Sequence, residues 1–185
     1  HTRLRTVTGV QTCALPIYYI SELQNKGDSC GGIISCVITG MVPGLGEPVF
    51  DKLQADLAKA MLSINAVHGF EYGSGFYGAS TKGSENNDAF EKNESGTVGF
   101  GNNNSGGILG GISSGADIFF NVAFKPVATI QQQQSTINKT GDAVTFKASG
   151  RHDACVVPRA VPIVEAMAAI IIMDHWLRYT SLKRP

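Results

Sequence analysis

The chain has 185 residues, with 15 lysines and arginines against 15 aspartates and glutamates. That length allows one ordinary domain with a sizeable core and not obviously two, and the balanced charge offers no field to attract nucleic acid or an anionic membrane. The longest unbroken apolar run, Ala166 to Met173, falls short of the roughly 18 residues that span a bilayer, so it reads as the core helix of a soluble protein.

Residues 1 to 24 differ in character from the rest. Val7 to Ile17 looks like the conceptual translation of a sequencing-library adapter, and this leader is set aside from fold reasoning. The alternative is a signal peptide, since Arg3 and Arg5 precede a short apolar patch, but Thr8, Gln11 and Thr12 interrupt it. On the adapter reading, whatever preceded about residue 18 in the natural protein is expected to be missing. The remaining stretch, 25 to 182, reads as a single unit.

Gly31 to Gly40 is rich in β-branched residues and bounded by glycines, which predicts a buried strand. After a turn at Pro43 to Gly46, Glu47-Pro48 is expected to open an amphipathic helix of about sixteen residues, with Phe50, Leu53, Leu57, Met61 and Ile64 along one face. Asn65 to Tyr72 reads as a second strand, completing a β-α-β unit. Residues 73 to 116 are dominated by Gly, Ser, Asn and charged side chains, and so long a polar stretch is either functional or disordered. The glycines at 106 to 111 would let backbone N–H groups approach a ligand closely. In the next strand Ile118, Phe120, Val122 and Phe124 alternate with Phe119, Asn121, Ala123 and Lys125. Gln131 to Gln134 reads as a solvated loop, and Val144, Phe146 and Ala148 as a short last strand.

That strand delivers the chain to Gly150-Arg151-His152-Asp153, a charged cluster ahead of a long apolar segment. Pro162 suits a helix start, and from Ile163 to Leu177 only Glu165, Asp174 and His175 are polar, so the helix is expected to be buried on every side. The predicted architecture is α+β, a layered sandwich of helices between antiparallel sheets.

Several chemistries can be weighed on these residues. His152, Asp153 and Cys155 lie close in sequence, but neither their spacing nor a second cluster makes a zinc site, and no metal is expected. A Ser-His-Asp hydrolase lacks its G-x-S-x-G elbow. Cys13, Cys30, Cys36 and Cys155 form no CxxC pair, which suits reduced thiols in a cytosol better than a disulfide framework. Anion binding is better supplied: Lys125 and Thr129 at a strand end, the glycine loop, and Arg151 and Arg159 beside a helix start are donors of the kind that hold phosphate or carboxylate.

Read together, several blocks resemble chorismate synthase. They are Gly44-Leu45-Gly46-Glu47-Pro48-Val49-Phe50-Asp51, Ser63-Ile64-Asn65-Ala66-Val67, Thr81 to Asp88, Asn104 to Ser113, Phe124 to Ile130, Gly150 to Asp153 and Arg159 to Met167. They occur in the family's order, cover nearly everything from Asp28 to Arg178, and correspond to the family's C-terminal half. The resemblance implies an FMN-dependent carbon-oxygen lyase of aromatic amino acid biosynthesis. Such an enzyme eliminates phosphate from 5-enolpyruvylshikimate 3-phosphate to give chorismate, requires reduced FMN without net redox change, and is a cytoplasmic homotetramer. The cofactor carries the unusual chemistry while the protein orients it.

By the same resemblance Asn65, Ala66, Gly110, Lys125, Pro126, Val127, Ala128 and Thr129 match flavin-contacting positions. Arg151 matches a position that contacts flavin or substrate, and Asp153 an aspartate that assists proton removal through flavin N5. Arg159 is a candidate for a substrate anion on its own chemistry. Ala154 stands where the family usually has proline, and His68 where lysine is common. The family's two catalytic histidines and arginine-rich segments belong to its N-terminal half, and His1, His68, His152 and His175 do not sit in the matching motifs. The chain alone is therefore expected to be inactive and prone to aggregate. The competing reading is a non-catalytic phosphate-ligand or interaction module of the same fold.

Overall fold

The computed structural model describes residues 14–92, 96, 98–150 and 152–182. In chain order these form α1 (Ala14–Asn25), β1 (Gly32–Ile38), α2 (Leu53–Leu62), β2 (Val67–Tyr72), α3 (Gly75–Gly78), α4 (Gly83–Asn86), β3 (Phe90–Lys92), β4 (Val98–Phe100), β5 (Ile108–Leu109), β6 (Ile112–Ser113), β7 (Ile118–Phe124), β8 (Gln133–Ile137), β9 (Ala143–Lys147) and α5 (Val157–Leu182).

The organising sheet has three strands in the order β1-β7-β2. Both outer strands run antiparallel to β7, so β1 and β2 are parallel to one another and α2 makes the crossover between them. The expected β-α-β unit is thus present but split, with β7 inserted between its strands. The period-two reading of β7 holds: Ile118, Phe120, Val122 and Phe124 are buried, against Ile34, Cys36 and Ile38 of β1 on the same face. Leu53, Leu57, Ala60 and Met61 of α2 and Ala160, Val164, Ala168 and Ile172 of α5 cover that face.

On the other face a polar chain runs across all three strands. The Ser35 hydroxyl donates to Asn121 Oδ1 at 2.6 Å, and the Asn121 amide donates to Glu71 Oε1 at 3.0 Å. Ile33, 65% exposed, lies beside it. The polar stretch after β2 is ordered locally, with the Asp88 carboxylate receiving the backbone N–H groups of Asn104 and Ser105 at 2.6 and 2.8 Å.

Four expectations are corrected. First, α2 does not open at Pro48. Glu47 and Asp51 exchange backbone hydrogen bonds of 2.8 and 3.0 Å, closing a small loop that leaves Phe50 90% exposed. The helix starts one turn later, where extended Lys52 precedes it and the Leu53 N–H donates to the Gly111 carbonyl at 2.9 Å. Second, α5 begins at Val157, so Pro162 lies inside the helix, on an exposed position where its missing N–H leaves the Pro158 carbonyl without an intrahelical donor. Third, Gln133 and Gln134 belong to β8, which pairs with β9 as an exposed ribbon, because the ladder pairs Gln133 with Lys147 and Gln134 with Phe146.

The fourth correction concerns burial of α5. Its buried residues, Ala160, Val164, Ala168, Ile172 and His175, form one stripe at helical spacing, whereas Ile163, Ile170, Met173 and Leu177 are exposed. The α+β class stands, but among the described residues the helices meet a sheet on one side only. With 26 residues the helix is long and apolar enough to cross a membrane by length and composition. Its buried stripe nonetheless packs on the sheet and on α2, and His175 Nε2 lies 2.9 Å from Asp56 Oδ2 of α2.

Candidate functional site

Three segments converge at the sheet end marked by Phe124. The first is the loop between α2 and β2, where Ala66 is the non-glycine residue with positive φ (70°) among those described. A side chain in that region costs about 1 kcal/mol, and such strain tends to gather at functional sites. Its carbonyl is held by the Lys125 N–H at 2.9 Å. The second segment, Lys125 to Thr129, leaves β7 and is secured by the Ser29 hydroxyl, which donates to the Val127 carbonyl at 2.7 Å. Gly31 permits this approach, since a Cβ there would sit 2.2 Å from the Phe124 carbonyl oxygen.

The third segment carries Asp153. It is tied to the start of β1 by the Cys30 N–H, which donates to the Ala154 carbonyl at 2.8 Å. Half-buried Asp153 receives Arg159 Nη1 on its Oδ2 at 2.8 Å. Because Arg159 sits in the first turn of α5, the helix start fixes the carboxylate.

Two clefts open on either side of this pair. One, of about 430 Å³, is lined by Asn65, Ala66, Phe124, Arg159 and Met167 among others. The other, of about 270 Å³, is lined by Asp28, Ser29, Thr129, Gln131, His152 and Asp153 among others. Asn65 and Arg159 are exposed residues of the first cleft's lining, and Lys125 is exposed at the same end of the sheet, next to Phe124. An amide and two cations beside an apolar floor of Ala66, Phe124 and Met167 suit a planar ring that bears an anionic tail.

The sequence-predicted residues are therefore partly assembled. Asn65, Ala66, Lys125, Pro126, Val127, Ala128, Thr129, Asp153 and Arg159 share this end, whereas Arg151 lies outside the described residues. Gly110 is elsewhere. It turns the β5-β6 hairpin with Gly111, at φ 62° and 98°, the left-handed pair that a two-residue hairpin turn demands. That hairpin bonds to the start of α2 at the Ile118 end of the sheet, roughly 20 Å along β7 from Lys125. Ser29, Asp28 and Gln131 were not singled out from the sequence. They matter through contacts about a hundred residues away, such as Ser29 to Val127, for which no local pattern exists.

Comparison with known proteins matches the chorismate synthase family model to residues 7–177. The chain is 60% identical over 167 residues to chorismate synthase of Cytophaga hutchinsonii, covering 90% of this chain and 46% of that protein. It is 59% identical over 165 residues to the Christiangramia forsetii enzyme, covering 89% and 46%, and 56% identical over 164 residues to that of Prochlorococcus marinus, covering 89% and 45%. A crystal structure of chorismate synthase superposes with a TM-score of 0.72 at 31% identity, over 90% of this chain and 43% of that one. The chain thus spans less than half the length of these relatives. With the family model covering most of its residues and the fold shared, the chain belongs to the chorismate synthase family.

Proposed function

We propose that this chain is the C-terminal, flavin-binding part of a cytoplasmic, homotetrameric chorismate synthase, acting on 5-enolpyruvylshikimate 3-phosphate with reduced FMN. The observation that carries the reading is the convergence of Asn65-Ala66, Lys125 to Thr129 and the Asp153–Arg159 pair at one sheet end of a family member. Reduced FMN, when bound, supplies electron density to the departing allylic phosphate.

This chain's own residues bind and orient. Asn65, Lys125 and the backbone through Thr129 would hold the cofactor, while Ala66, Phe124 and Met167 would exclude water from it. Arg159 occupies Oδ2 of Asp153, so Oδ1 is the oxygen on which a transferred proton rests. Arg151 and Arg159 attract the substrate's anionic groups. The family's catalytic histidines belong to the half this chain does not match, so no turnover is expected from these residues alone.

Titration of the full chain with reduced FMN should show binding that falls at least about tenfold in Lys125→Ala, a lost charge-assisted contact. Supplying in trans the preceding half of the Cytophaga hutchinsonii enzyme should restore chorismate formation with the unsubstituted chain and not with Asp153→Ala. A folded chain that binds no flavin would overturn the reading in favour of a module unrelated to flavin. Turnover by the chain alone would overturn the assignment of the missing histidines.

A further inference from the structure

Cys30 and Cys155 are far apart in sequence and adjacent in space. They are partners in an isolated parallel β-bridge between the segment before β1 and the segment before α5. Neighbouring extended segments lie about 5 Å apart, inside the roughly 4.4–6.8 Å Cα separation that a disulfide requires. Both residues are half-buried, which shields them from large partners and leaves them open to a small one. Cys36 is fully buried in the core, away from this pair.

We infer that Cys30 and Cys155 form a reversible thiol–disulfide site, closed by a small peroxide and reopened by a dithiol. One of the two sulfurs attacks one oxygen of hydrogen peroxide, breaking the O–O bond to give a sulfenic acid and one water. The other sulfur then attacks that sulfur and expels a second water, so the two electrons and two thiol hydrogens end in the two waters. Burial first, then the neighbouring Cys155 and Asp28, push the Cys30 thiol up to about 11.

Closure has a consequence for the neighbouring cleft. Asp28 and Ser29 precede Cys30, Asp153 and Ala154 precede Cys155, and all four line the 270 Å³ cleft. The hydrogen bond from the Cys30 N–H to the Ala154 carbonyl already ties these two segments together. A covalent link would pin them and close a loop spanning most of the chain.

Treatment of the full chain with hydrogen peroxide should lower its intact mass by two hydrogens, and a non-reducing digest should yield a Cys30–Cys155 cross-linked peptide that dithiothreitol removes. The thermal midpoint should rise on the order of 10 °C, and amide exchange at residues 28–30 and 153–155 should slow. The digest uses the unsubstituted chain, so it does not depend on whether Cys30→Ser or Cys155→Ser folds; each variant should abolish the link. A sulfinic acid on either Cys30 or Cys155 with the other left as a free thiol, or a disulfide that joins any other cysteine, overturns the inference.

Discussion

His175 carries the only buried imidazole among the described residues, and its tie to α2 is a single hydrogen bond to Asp56. Nδ1 is buried with no partner, so the Asp56 carboxylate is what satisfies the ring. Replacing it by alanine leaves both ring nitrogens without a hydrogen bond in the core, a loss of about 2 kcal/mol. Asp56→Ala should therefore lower the urea midpoint markedly at unchanged denaturant slope. The Asp153–Arg159 pair makes a contrast. Arg159 is 70% exposed and Asp153 34%, so solvent screens the pair and its share in stability is at most about 1 kcal/mol. Arg159→Ala should leave the urea midpoint nearly in place, and any loss of ligand binding in it then reports on the site and not on folding.

Among the elements, α5 is where the two faces of one helix predict opposite outcomes. Val164 and Ala168 are buried against the sheet, while Ile170 at 59% and Met173 at 55% exposure face away from it. Ile170→Lys with Met173→Glu should reduce aggregation in sizing chromatography and shift stability by less than about 1 kcal/mol, since both side chains are more than half exposed. Leu57→Ala on the facing helix should cost about 3 kcal/mol. Strand β7 was legible in the sequence because side-chain alternation is a local property, whereas the one-sided burial of α5 was not, since its exposed face is as apolar as its buried one. The start of α2 was not, since Phe50 continues the apolar spacing and only the Glu47–Asp51 exchange and the Gly111 carbonyl, a contact from a distant hairpin, reject it. Apolar residues on the far side of α5 say that a surface avoids water, and carry no statement of which chain covers it. Within the site, the resemblance named Asn65, Ala66, Gly110 and Lys125 to Thr129 without placing them; that Asn65, Ala66 and Lys125 to Thr129 lie at one end of the sheet and Gly110 at the other required the topology.

Taken as a whole, the molecule depends on carboxylates that are hydrogen-bonded when ionised. The Asn121 side chain and then the Phe76 N–H hold the Glu71 carboxyl below its usual range. For Asp88, burial opposes ionisation, but the Ser105 hydroxyl and the N–H groups of Ser105 and Asn104 outweigh it and hold the carboxyl low. A depressed folded pKa means that the unfolded chain binds the proton more readily. The stabilisation is therefore complete above the ordinary carboxylate value of about 4 and is lost as pH falls through the lower folded values. Urea midpoints should be flat from neutrality to about pH 5 and decline below about pH 4, with a shallower decline in Asp88→Asn.

Because β7 stands between β1 and β2, the sheet's centre is its last strand to be made. A ribosome that has released residues 14–72 has delivered both outer strands and their crossover helix, yet among the described residues neither strand has a neighbour to pair with until Ile118–Phe124 emerges. Assembly is thus a long-range closure, slow by the measure of contact separation. During synthesis the nascent chain carries two open strand edges, the state in which a chain is most exposed to pairing with another. Stalled chains ending before residue 118 should be cleaved readily by a brief protease pulse, and those extending well past Phe124 should resist it; equal resistance in both would show that the first β-α-β segment stands without its central strand.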